Sequence, residues 1–247
     1  MINIQLDSNY NNAKDFVNNI KNHFSQNKNV IFAKRNIIKV IEYNGKKIVV
    51  KSFKVPNLIN QFAYRFIRDS KSKRSFLNAQ KLIKLDINTP KPIAYVEFFD
   101  PLLGESFYIC EYFDYDFEIR AVLRDNNFED RDNIFKEFAL FSYNLHQKGV
   151  YHIDYSPGNV LIKKEDNRYF FSIVDVNRMK FIKFDDKLRF QNLSRFSATD
   201  EDTKTIAKEY AKVSGIDEKF AHQQLSFFHQ KHQQYLQNKK RLKRLKR

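Results

Sequence analysis

The sequence predicts an α+β fold of two lobes, with an antiparallel sheet first and a mainly helical half after it. β-Branched runs broken by turn signals fill the first part of the chain, and a helical apolar periodicity takes over beyond Asp114. At 247 residues the chain can bury a substantial core as one large domain or two small lobes. No internal repeat interrupts this division.

Taken in order, Val30 to Phe53 reads as strands separated by Lys34-Arg35-Asn36 and by Asn44-Gly45, the latter a strong hairpin signal between apolar runs. From Ser70 to Leu85, Phe76, Ala79, Leu82 and Ile83 recur at the spacing of one buried helix face, and Asn88-Thr89-Pro90-Lys91-Pro92 ends that helix. Strands are expected at Ile93 to Phe98 and Phe107 to Tyr112 around the Asp100-Pro101 turn. Past Asp114, Ile134, Phe138, Leu140, Phe141 and Leu145 predict a helix ending at Gly149. A loop at Tyr151 to Asn159 follows, then a hairpin from Val160 to Val174 that turns near Glu165-Asp166-Asn167, and then helices. The expected boundaries are 1–113 for the sheet lobe, 114–238 for the helical lobe and 239–247 for a polybasic tail.

The chemistry concentrates in that loop. His152-Ile153-Asp154-Tyr155-Ser156-Pro157-Gly158-Asn159 sets an Asp five residues before an Asn, the separation of a kinase catalytic loop. Phosphoryl transfer needs a group that orients the acceptor hydroxyl and a divalent cation that neutralises the triphosphate. Asp154 suits the first task and Asn159 the second. Asp175, at the end of the apolar run Phe171-Ser172-Ile173-Val174, adds a second hard oxygen ligand for Mg2+. Upstream, Lys51 closes the run Ile48-Val49-Val50, where a lysine would reach the α- and β-phosphates of ATP. Together these predict a two-lobed protein-kinase-like fold with ATP between the lobes. His152 is expected to hold the loop rather than carry protons.

Several stretches resemble one family. Arg35-Asn36, Val50-Lys51-Ser52-Phe53, Ser70-Lys71 with Arg74-Ser75, Asn88-Thr89-Pro90, Asp154 with Ser156-Pro157-Gly158-Asn159, and Asp175-Val176-Asn177-Arg178 look like the lipopolysaccharide kinase (Kdo/WaaP) family, in its motif order. The resemblance covers the chain from about Arg35 to about Phe181. It implies an ATP- and Mg2+-dependent kinase that phosphorylates a sugar hydroxyl, Kdo or heptose, of the lipid A inner core. It also implies work at the cytoplasmic face of the inner membrane.

The departures are specific. No Gly-rich loop covers the phosphates, and Arg35 is the cation expected there instead. The helix that would give Lys51 a Glu partner has Leu77 and Asn78 at that place, so Asn78 or Gln80 is expected to orient Lys51 by a neutral hydrogen bond. Ile153 replaces the Arg of His-Arg-Asp, and Asn177-Arg178 stands where a Gly would follow Asp175. Both suit an acceptor that is not a protein.

Totals narrow the setting. One cysteine, Cys110, excludes an intramolecular disulfide and a Cys-rich zinc site, and an intracellular address follows. The opening MINIQLDSNYNN lacks the basic and apolar stretches of a secretory signal. With 44 Lys+Arg against 29 Asp+Glu, the +15 net charge favours a polyanionic partner. Lys239, Lys240, Arg241, Lys243, Arg244, Lys246 and Arg247 form a tail expected to meet anionic lipid head groups on the inner membrane, with nucleic acid ranked behind. The rival readings are a kinase of the same fold with another small-molecule or protein acceptor, a pseudokinase that only binds, and a basic RNA-binding protein.

Overall fold

The computed structural model describes residues 1–34, 36–166, 168–196 and 199–244, without the Lys243 side chain. Contacts divide the chain into one unit of Met1–Asp114 with Asp175–Arg178 and another of Tyr115–Val174 with Met179–Arg247. The first unit therefore takes back a four-residue segment from deep in the second half, which no continuous boundary captures.

The first unit runs β1 (Ile2–Leu6), α1 (Lys14–Asn18), α2 (Ile20–Gln26), β2 (Val30–Ala33), β3 (Asn36–Tyr43), β4 (Lys46–Phe53), α3 (Leu58–Phe66), α4 (Lys71–Lys84), β5 (Pro92–Asp100) and β6 (Leu102–Glu111). Its six strands form one sheet in the order β1-β5-β6-β4-β3-β2, antiparallel throughout. Asn44 and Gly45, at φ 51° and 71°, make the two-residue turn between β3 and β4. Positive φ at both central residues matches the twist of the flanking strands.

Side chains alternate across a strand, so neighbours on β4 serve opposite faces. Val50 joins a core with Phe16, Val17 and Ile20 from the N-terminal helices and Ile41, Ile48, Ile93, Val96, Phe107 and Ile109 from the sheet. Each such buried side chain contributes about 1.5–3 kcal/mol. Lys51 falls on the other face, in register with Tyr108 and, beyond it, Tyr95. Helix α4 covers that face, with the Phe76 and Tyr95 rings 5.5 Å apart. The sequence pattern gave no sign of the N-terminal layer, because β1 is an exposed edge strand and α1 and α2 are short. On α4, Phe76, Ala79 and Leu82 are buried but Ile83 is not.

The second unit contains β7 (Phe117–Glu118), α5 (Ile119–Arg124), α6 (Arg131–Gln147), β8 (Val150–His152), β9 (Val160–Glu165), β10 (Arg168–Ile173), β11 (Met179–Phe181), α7 (Asp186–Leu193), α8 (Asp200–Ser214) and α9 (Glu218–Arg244). The hairpin β9–β10 pairs from Val160↔Ile173 to Glu165↔Arg168, and β8 pairs with β11. On α6, Ile134, Phe138 and Leu145 are buried as expected, whereas Leu140 is exposed because it falls off their stripe. Helix α8 starts with a capping box between Thr199 and Asp202. The basic segment is not a separate tail at its start, since α9 carries the helix through Lys239, Lys240 and Arg241 to Arg244.

Candidate functional site

In the first unit the centre is Lys51 and Asp175. Lys51 Nζ lies 2.6 Å from Asp175 Oδ1, and Asn177 Nδ2 donates to the same oxygen at 2.6 Å. Lys51 is 9% exposed, so its charge is held largely away from water and the carboxylate offsets that cost. Asp175 itself sits at φ 59°, in the left-handed region that Asp tolerates better than most side chains.

Helix α4 holds this turn without a glutamate. Arg74 Nε donates to the Asn177 carbonyl at 3.2 Å and Asn78 Nδ2 to the Val176 carbonyl at 2.8 Å. The expectation that Asn78 or Gln80 bonds to Lys51 is thus corrected. Asn78 fixes the backbone beside Asp175, and Gln80 Nε2 donates to Asp7 at 2.8 Å, because its place on α4 faces the N-terminal segment. Arg74 stood among the family-like residues, but no role for it could be read before the 175–178 segment was seen to return to α4.

In the second unit Asp154 and Asn159 share the loop that follows β8. The Asp154 amide donates to His152 Nδ1 at 3.1 Å, so the neutral imidazole carries its proton on Nε2 and donates to the Val174 carbonyl at 3.1 Å. His152 is fully buried and ties the start of the Asp154 loop to Val174, just past β10. Asn159 Nδ2 donates to the Asp154 carbonyl at 2.9 Å, which leaves the amide oxygen as the end suited to a cation.

A buried chain of hydrogen bonds supports the loop from below. Asn192 Nδ2 donates to the His152 carbonyl at 2.9 Å, and Asn192 Oδ1 meets His146 Nε2 at 3.2 Å. His146 Nδ1 meets the Tyr210 hydroxyl at 2.8 Å. Burial pushes His146 down to about 3, so it is neutral, donating from Nε2 and accepting at Nδ1. None of Asn192, His146 and Tyr210 carries a motif, and sequence reasoning missed all three.

Arg120 was missed as well. A Cβ added to Gly158 would fall on the Arg120 guanidinium, so the glycine makes room for a cation against the loop. A cavity of about 260 Å³ is lined by Ile153 and Tyr155, the sequence neighbours of Asp154, and by Arg195, Lys231, His232 and Tyr235. Burial, chiefly, and then the nearby Arg195 and His229 push His232 below its ordinary value.

Among the described residues no three His, Cys, Asp or Glu side chains gather to hold a metal. Mg2+ is commonly held by one or two side-chain oxygens together with substrate phosphates, and each unit offers one oxygen of that kind, the Asp175 carboxylate in the first and the Asn159 amide in the second. Cys110, in β6, is pushed up to about 12 by burial and has no reactive thiolate. Arg35, Lys246 and Arg247 lie outside the described residues, as does the side chain of Lys243.

Residues 33–241 match the model of the lipopolysaccharide kinase (Kdo/WaaP) family. The solved structure "WaaP in complex with acyl carrier protein" has a TM-score of 0.64 and 14% identity, covering 93% of this chain and 98% of that one. At that identity it shows a shared fold. The PknI kinase domain of Mycobacterium tuberculosis has a TM-score of 0.41 and 15% identity over 75% of this chain and 71% of that one. No curated protein matches the sequence.

Proposed function

Since the chain belongs to the lipopolysaccharide kinase (Kdo/WaaP) family, a family of ATP-using phosphotransferases that act on sugar hydroxyls, we propose that its acceptor is a Kdo or heptose of the lipid A inner core. The observation that supports phosphoryl transfer most directly is the Lys51–Asp175 pair, which joins a cation suited to phosphates with a carboxylate suited to a metal, while the choice of sugar rests on the family alone.

Asp154 would take the proton of the acceptor hydroxyl as its oxygen bonds to the γ-phosphorus of ATP. The bond from that phosphorus to the bridging oxygen breaks, and ADP leaves with the electron pair. Lys51 would hold the phosphates, and Asp175 and Asn159 would offer oxygens to Mg2+. When bound, the ion neutralises the charge on the triphosphate. His152 keeps Asp154 in place through its backbone. The cavity beside Asp154 would seat the acceptor, with Arg195, Lys231 and His232 meeting its acidic groups.

A lipid-linked acceptor places the work on a membrane surface, proposed here as the cytoplasmic face of the inner membrane. The exposed Lys239, Lys240, Arg241 and Arg244 would be drawn to anionic head groups at about 1 kcal/mol per charge.

The test is mass spectrometry of a Kdo-bearing lipid A after incubation with the protein, ATP and magnesium, beside Asp154→Ala. Phosphate added by the wild type alone supports the acceptor and the base. ATP bound but no phosphate added would replace the acceptor, and failure to bind ATP would replace the kinase reading with a binding role.

A further inference from the structure

Helix α3 has its amphipathicity inverted. Not one of its residues is buried. Leu58, Ile59, Phe62 and Phe66 recur at helical spacing on one side and are 73%, 81%, 53% and 65% exposed, with Val55 before them and Ile67 after also exposed. The polar residues make the internal bonds instead. Asn57 caps the helix, Gln61 Nε2 donates to the Pro56 carbonyl and Asn60 Oδ1 accepts from Arg68. Arg65 lies over the Phe99 ring at 4.6 Å, on the unit's own surface. A helix serving only its own fold turns the opposite side outward.

The surrounding charge has one sign. From position 54 to 74 the chain carries Lys54, Arg65, Arg68, Lys71, Lys73 and Arg74 against a single acid, Asp69. A large apolar face rimmed by cations is the signature of a helix that lies in a membrane interface. The same cations would repel one another across a contact between two copies of this chain. Among the described residues no helix is long and apolar enough to cross a membrane.

We propose that α3 is the element that seats this protein on an anionic bilayer, with Leu58, Ile59, Phe62 and Phe66 at the boundary of head groups and acyl chains. The choice of lipid as occupant rests partly on the lipid-linked acceptor proposed above. Cations alone bind a surface reversibly and weakly, and α3 supplies the apolar second signal that stable seating takes.

The chain contains no tryptophan, so Phe62→Trp makes a sole fluorescent reporter. With vesicles of phosphatidylglycerol and phosphatidylethanolamine its emission should shift to the blue and be quenched by brominated acyl chains. Ile59→Gln with Phe62→Gln, which keep the helix and add no charge, should lower vesicle partitioning at least about tenfold at an unchanged melting temperature. Partitioning equal to wild type, or a reporter that stays solvated on vesicles, overturns the proposal. So does loss of self-association in the double variant, seen by sedimentation velocity, with vesicle binding intact. Neither ATP nor an acceptor enters the assay, so a failed kinase reading would leave vesicle binding in place.

Discussion

Lys51 and Asp175 stand 124 residues apart in sequence and 2.6 Å apart in space. Lys51→Met should raise the KM for ATP at least about tenfold, since a charged phosphate contact is lost. Asp175→Asn should lower kcat by roughly 10²–10³, as removal of one preorganised charge does. Asp175→Asn also strands a buried cation. Its carboxylate is about a third exposed, so solvent screening should hold the stability cost to about 1 kcal/mol rather than the roughly 3–5 of a fully buried pair. Steady-state kinetics and urea melts of both variants check these outcomes.

Arg74 and Asn78 act on the turn rather than on the nucleotide. On the proposal that Asp175 offers an oxygen to magnesium, Arg74→Ala and Asn78→Leu should each weaken the apparent affinity for magnesium by about 10–100-fold, as loss of a ligand's supporting bond typically does. Gln80→Leu is the control, because its amide serves Asp7. A magnesium titration of activity that shifts equally in all three would remove the special role of the turn.

His146 makes stability depend on pH. Its folded value of about 3 lies below the ordinary 6.5, so the unfolded chain takes up the proton first as pH falls. The contribution is complete above about 6.5 and is lost toward 3, at about 1.4 kcal/mol per pH unit inside that window. At pH 5 the loss should reach about 2 kcal/mol. Urea midpoints at pH 7, 6 and 5 should fall for the wild type and fall less steeply for His146→Gln.

Gly158→Ala must displace Arg120. Activity should drop by about tenfold, and Arg120→Ala in the same background should add little, because neighbours sharing one contact are not additive. Losses that simply multiply would mean the guanidinium and the loop act separately.

Asp154, Asn159, Asp175 and Lys51 could be singled out in the sequence because each belongs to a local pattern: a fixed separation, a strand end, a run that closes in lysine. Asn44-Gly45 was legible for the same reason, as the backbone requirement sits in two adjacent residues. What stayed hidden is held by long-range bonds. Nothing near Asn78 says that its amide will meet Val176, and His146, Asn192 and Tyr210 look like ordinary helix residues until α6, α7 and α8 are assembled. Helix α3 drew no reading from the sequence, because an apolar stripe at helical spacing does not say whether that face is covered, and only the fold leaves it exposed.

The return of Asp175–Arg178 to the first unit also sets an order of events on the ribosome. The first 114 residues emerge with their sheet complete, yet the counterion of Lys51 and the carbonyls that Arg74 and Asn78 bind are still unmade. At about 5–20 residues per second that wait lasts roughly 3–12 s. Through it, the nascent amino-terminal unit holds a lysine with no carboxylate beside it, and so should be the stretch of this chain most in need of a chaperone during synthesis.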